Sequence, residues 1–145
     1  MHMRVEVKIS ADAAETYAVI YTNHMSDEIS RIIEQFDAGR DIITALKDER
    51  TVILRPEEIY MLRVEDEKLI IYGKETRYRC SRRLYELQEQ LGAGFMRISK
   101  SSIINLRYLE SIEPSFSGML LILKNGDKDY ISRKYLPDLK KYLGI

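Results

Sequence analysis

The chain opens on an alternating pattern. Val5, Val7 and Ile9 are interleaved with Arg4, Glu6 and Lys8, the period of a half-buried strand. A second β-prone run follows at Tyr17–Tyr21. The period then changes. Ile29, Ile32, Ile33 and Phe36 fall at i, i+3, i+4 and i+7, the apolar stripe of an amphipathic helix. Ser26 or Asp27 is placed to cap it, and Gly39 to end it. Asp41–Leu46 reads as another strand. These first 45 residues predict a small strand–strand–helix extension, with the main domain at 46–145.

From Thr51 the pattern is β-rich. Residues 51–55, 59–64, 68–72 and 75–80 read as strands, with Glu65-Asp66-Glu67 as a hairpin-like turn between the second and third. One helix interrupts them. Ser81 is its candidate cap, Leu84, Leu87 and Leu91 its stripe, and Gly92 its stop. Strands at 95–99, 102–106, 109–115 and 119–124 follow, the last two joined across Ser117-Gly118. Asn125-Gly126 between two β-prone runs predicts a type I′ hairpin. Leu136, Leu139, Tyr142 and Leu143 predict a short closing helix. The pattern is that of a mostly β protein with minor α content.

Composition narrows the class. At 145 residues, 45% apolar and 32% charged, the chain has the make-up of a globular domain. No apolar run reaches the ~18 residues of a membrane span. Cys80 is the single cysteine, which fits a reducing, cytoplasmic setting. The zero net charge hides a split: residues 1–50 sum to −4 and residues 51–145 to +4. Between Lys74 and Arg107 there are 8 basic and 3 acidic side chains, as a polyanion-facing region requires.

Catalytic chemistry finds little support. His2 and His24 are the only histidines, so neither a metal ligand set nor a partnered nucleophile is marked. Gly92-Ala93-Gly94 follows a helix instead of opening one, which makes it a helix stop and not a phosphate loop. No enzyme, cofactor or metal is expected. Segment 95–107, FMRISKSSIINLR, instead sets Arg97, Lys100 and Arg107 among serines and β-branched residues. Cations and small hydroxyls at the ends of buried strands suit phosphate oxygens. Ser132-Arg133-Lys134 forms a second such group, and Ser132 is placed to cap the last helix.

These blocks carry a resemblance. FMRISKSSIIN (95–105), the Asn-Gly hairpin and SRKYLPDLKKYL (132–143) resemble the LytTR DNA-binding domain of bacterial transcription regulators. RRLYELQEQL (82–91) is similar to the helix before that family's motif, and residues 57–80 to its opening strands. The resemblance spans about residues 45–145. It implies an antiparallel β fold that reads duplex DNA at repeated half-sites through strand-end loops, as a homodimer or as adjacent monomers. The motif's variable pair falls on Ser99 and Lys100, a second contact on Arg133, and a third near Glu67 and Lys68. Ser101, Arg107 and Lys134 are the implied phosphate contacts, and Asn105 a turn-forming residue. Many family members carry His-Arg or His-Asn where this chain has Ser99-Lys100, so the half-site sequence does not transfer. The short extension leaves no room for a receiver domain, which points to a stand-alone regulator under a partner protein or expression control. Besides a small enzyme using carboxylates, which no pattern marks, two other classes stay open. One is a protein-interaction module of the same fold that has lost DNA binding. The other is an RNA-binding β domain using Tyr72, Tyr78 or Phe95, rings that read better as core.

Overall fold

The computed structural model describes residues 3–12, 17–37 and 42–145. Helix α1 (Asp27–Asp37) carries the predicted stripe. Ser26 caps it: its Oγ accepts the Ile29 N–H at 3.3 Å and its carbonyl the Ser30 N–H at 3.0 Å. Ile29 is buried, while Ile33 remains 39% exposed. The Gly39 stop lies outside the described residues.

The two N-terminal strands expected at 4–9 and 17–21 are not formed. Val5, Val7, Ile9, Tyr17 and Tyr21 stand in the open. A strand is held by its neighbours' backbone groups, and the alternation of one segment supplies no partner. No strand pairs with these residues among those described.

A seven-stranded antiparallel sheet forms the centre. It contains β1 (Ile43–Lys47), β2 (Arg50–Leu54), β3 (Met61–Glu65), β4 (Lys68–Tyr72), β5 (Arg77–Cys80), β6 (Phe95–Ser99) and β7 (Ser102–Asn105). Its order is β2-β1-β5-β4-β3-β7-β6. A second antiparallel sheet holds β8 (Leu109–Ser115), β9 (Gly118–Leu123) and β10 (Lys128–Ile131), in the order β10-β9-β8. Helices α2 (Leu84–Leu91) and α3 (Leu136–Leu143) complete the domain.

Period-two parity divides the apolar residues into two cores. Leu62, Leu69, Ile71 and Ile103 leave one face of the wide sheet and meet Leu84 and Leu87 of α2. Met61, Tyr72, Ile98 and Ile104 leave the other and meet Leu121, Leu123 and Ile131 of the small sheet and Leu139 of α3. The wide sheet is therefore a shared middle layer. Burying one such Leu or Ile is worth roughly 1.5–3 kcal/mol.

Several turns and caps differ from expectation. The Asn125-Gly126 loop is not type I′, because only Gly126 has a positive φ, at 91°. Asn125 instead bends the chain with its side chain, which accepts the Asp127 N–H at 3.0 Å. Asp48-Glu49 and Asp66-Glu67, at φ 50° and 65° in each pair, take the left-handed conformation at both central positions, the requirement of a I′ turn. Asp tolerates that region through its short polar side chain. Ser81 does not cap α2. The cap position falls later, on Arg83, which makes no side-chain cap bond. Ser132 does not cap α3 with its side chain either. Its carbonyl accepts the Tyr135 and Leu136 N–H groups, both at 3.1 Å, while its buried Oγ has no partner among the described residues.

Candidate nucleic-acid interface

Register fixes which loops share an end of the molecule. Glu65 pairs with Lys68 across the Asp66-Glu67 turn. Arg63 pairs with Ser102, and Ser102 with Ser99. The turns at 66–67 and 100–101 therefore lie side by side. The Val64 N–H donates to the Ser101 carbonyl at 2.9 Å and ties them together. The third segment arrives from the other sheet. Ser132, directly after β10, donates its N–H to the Ile98 carbonyl at 2.9 Å. Lys68, Ser99, Lys100, Ser101, Arg133 and Lys134 are thereby brought to one end from three separate stretches of sequence.

The loop bodies are held locally. The Ser99 Oγ accepts the Ser101 N–H at 3.2 Å. Arg97 donates to the Lys100 carbonyl at 2.8 Å and to Gln88 of α2 at 3.1 Å. Lys68, Lys100, Arg133 and Lys134 are exposed, and Ser99 and Ser101 half-buried. The Lys134 Nζ lies 5.4 Å from the Tyr135 ring centre.

Arg107 is not part of this gathering. It lies past the opposite end of β7, in the 3-10 turn Leu106–Tyr108, beyond the about 10 Å that the three steps of the strand from Ser102 to Asn105 span at ~3.3 Å per residue. There it lines an open cleft with Pro56, Gly94, Leu106 and Tyr142. Its backbone N–H is held by the Asn105 Oδ1 at 3.1 Å. Asn105 is buried, and its amide also donates to the Ile59 carbonyl at 2.9 Å and the Pro56 carbonyl at 3.3 Å.

Behind the loops lies a polar junction that pattern reading passed over. The Asp129 Oδ2 of β10 accepts the Ser102 Oγ at 2.5 Å and lies 3.8 Å from the Arg63 Nη1. One carboxylate thus joins β10, β7 and β3, strands that each border one of the three loops. Arg63 also donates through Nε to the Glu65 Oε1 at 2.9 Å, and the Tyr72 hydroxyl donates to the same oxygen at 2.5 Å. Arg77 stacks over the Tyr72 ring at 4.4 Å and pairs with Asp127 at 3.6 Å. The signal was present in the parity of the strands. Arg63 and Glu65 are in phase with buried Met61, and Asp127 and Asp129 with buried Ile131. Charges at inward positions need partners, and here they find one another.

The junction shifts its own ionisations. Burial pushes the Tyr72 hydroxyl up, and the bond to Glu65 adds to it, reaching about 12. Burial also pulls the Glu65 carboxyl upward, but the Tyr72 and Arg63 hydrogen bonds and the nearby guanidinium charges outweigh it, and the result lies below the usual value. Burial works against the Arg63 charge, yet the Glu65 bond prevails and raises its pKa.

An antiparallel β domain that gathers cationic strand-end loops on one side has the charge of a surface that meets a polyanion. The chain belongs to the LytTr DNA-binding domain family, whose pattern matches residues 49–144. It is 29% identical over 147 residues to uncharacterized HTH-type transcriptional regulators of Staphylococcus aureus strains NCTC 8325 and N315, with 99% of both chains covered. Its fold is similar to the solved LytTr DNA-binding domain of a Bacillus cereus protein described as a putative methyl-accepting/DNA response regulator. The TM-score is 0.66 at 23% identity, covering 72% of this chain and 98% of that one. The relatives' name mentions a helix-turn-helix. Among the described residues of this chain, strands separate each α-helix from the next.

Proposed function

We propose that the protein is a sequence-specific regulator of transcription that binds duplex DNA at repeated half-sites through the loops at 66–68, 99–101 and 132–134. The observation that carries this reading is the convergence of Lys68, Lys100, Arg133 and Lys134 from three stretches of sequence onto one end of a rigid sheet. Lys100 and Arg133 donate to guanine O6 and N7 in the major groove, the commonest specific base contact of a cation. Ser99 and Ser101 donate to flanking phosphates, and Lys134 supplies a phosphate contact. Arg107, at the far end of β7, takes no part in this face. The protein works in the cytoplasm on DNA. Two copies occupy a repeated site, with residues 1–45 providing the contact between copies or with a regulatory protein. The exposed Ile33 of α1 supports that role for the extension. No helix among the described residues is long and apolar enough to cross a membrane.

The test is selection of bound duplexes from a random library, followed by salt titration of the winner. A repeated motif whose affinity falls steeply with salt is the expected result. An unenriched pool with weak binding would overturn sequence-specific recognition.

A further inference from the structure

We propose that Phe116, at the tip of the β8–β9 hairpin, is a fourth point of contact with duplex DNA, its ring pressing against base edges beside the site read by Arg133. The inference rests on the DNA-binding reading above and extends it to an apolar contact.

Register places the tip. Ser115 pairs with Gly118 and Pro114 with Met119, and Met119 in turn pairs with Ile131. The hairpin therefore turns at the end of the molecule where Ser132-Arg133-Lys134 emerges. Phe116 and Ser117 form the turn itself. The Phe116 ring is 107% exposed, while the next most exposed large apolar residue of the domain, Ile145, is at 74%. A ring so exposed contributes nothing to the core. Turn tips normally carry small or polar residues, and a solitary phenylalanine there is suited to an external apolar surface.

The tip is also built to hold its position. The Ser115 Oγ donates to the Gly118 carbonyl at 3.0 Å. Gly118 sits at φ 126°, a conformation that a side chain would strain. Residues 114–118 are Pro, Ser, Phe, Ser and Gly, so no carboxylate in the tip opposes approach to phosphates. Pro114 removes a backbone N–H from the outer strand β8, which disfavours a partner strand pairing along that edge. The apolar group that the major groove offers is the thymine 5-methyl, and aromatic side chains contact it.

The experiment uses the full chain and the duplex selected above. Phe116→Ser is expected to lower affinity about tenfold to a hundredfold, as for a phenylalanine ring kept from burial. The salt slope stays unchanged because no charge is lost, and the thermal midpoint stays unchanged because the ring packs on nothing. Scanning thymine to deoxyuridine along the duplex then locates the contact, at a position that weakens the wild type and leaves Phe116→Ser unaffected. Equal affinity of variant and wild type overturns the proposal. So does a fall in affinity with no responding thymine, or one accompanied by a lower melting point. Loss of promoter activity at unchanged affinity assigns the ring to a protein partner and also overturns it. If the wild type enriches no duplex, the DNA reading itself fails. If Arg133→Ala weakens binding and Phe116→Ser does not, that reading stands and this contact alone falls.

Discussion

The two ends of the wide sheet are built from similar turns but carry different chemistry. At one end Lys68, Lys100, Arg133 and Lys134 project from loops pinned to each other across three strands. At the other, Asp48, Glu49, Glu57, Glu58 and Glu75 stand in the turns, with Lys47, Arg50, Lys74, Arg77 and Arg107 beside them. A buried side chain, Asn105, holds that second end together through backbone carbonyls. The difference separates two jobs. The second end stabilises the chain crossing through Asn105 and its carbonyl partners. The basic end leaves its cations exposed, with Asp66 and Glu67 also exposed in the turn before Lys68, and holds two further acids, Glu65 and Asp129, behind the loops, where Arg63, Tyr72 and Ser102 occupy them. What sets the first end apart is that Lys68, Lys100, Arg133 and Lys134 reach it from three separate stretches of sequence.

The largest expected effect concerns the layer that joins the ends. Leu121 is fully buried between the two sheets, and Leu121→Ala should cost ~2–5 kcal/mol of stability in urea denaturation. A value below ~1 kcal/mol would mean that the small sheet does not anchor the basic end. Next come the loops themselves. Lys100→Ala and Arg133→Ala should each weaken cognate binding by ~1–3 kcal/mol while leaving stability unchanged. Arg107→Ala, at the other end, should leave DNA affinity within about 0.5 kcal/mol in the same titration. Equal losses from Arg107→Ala and Arg133→Ala would erase the distinction between the ends.

Asn105→Ala reverses the pattern. It should lower stability by ~1–3 kcal/mol, because buried carbonyls lose their donor, and leave the DNA affinity of the folded protein intact. The Tyr72 hydroxyl gives a pH test. Its folded pKa, about 12, lies above the ordinary 10, so the folded state holds the proton longer. That contribution is complete below about pH 10 and is lost as pH rises toward about 12. Tyr72→Phe should flatten the stability profile in that window, and an unchanged slope would exclude the junction as its source. Glu65 acts with the opposite sign: its lowered pKa gives stability that is lost in acid. The smallest effect belongs to Lys134→Ala, which should weaken all duplexes alike and reduce the salt slope by about one.

Much of the domain was legible from periodicity, since burial of one strand face or one helix stripe imposes its period on the residues. Strands β3, β4, β6 and β8 and helix α2 fall close to where alternation and the leucine stripe put them. Failures have local causes. Asn125-Gly126 obeys the hairpin rule in sequence, but the Asn125 side chain bonds to Asp127 and to the Gly73 carbonyl, which sets a different turn. The acidic pairs 48–49 and 66–67, by contrast, form left-handed turns that the glycine rule does not anticipate. Val5, Val7 and Ile9 have a strand's alternation and no strand beside them, because pairing is a property of two segments.

Spacing and side-chain type, which the chain carries in one dimension, were enough to set which residues face a core. They also set the mostly β class and the cationic character of 95–107 and 132–134. They could not set which cations share a surface. Arg107 lies only seven residues from Lys100, yet β7 carries it to the other end of the sheet, while Arg133 arrives from a different sheet to stand beside Lys100. The closure of Arg63, Ser102 and Asp129 into one junction has the same origin. Strand order and register fix those distances, and both depend on contacts between segments far apart in the chain.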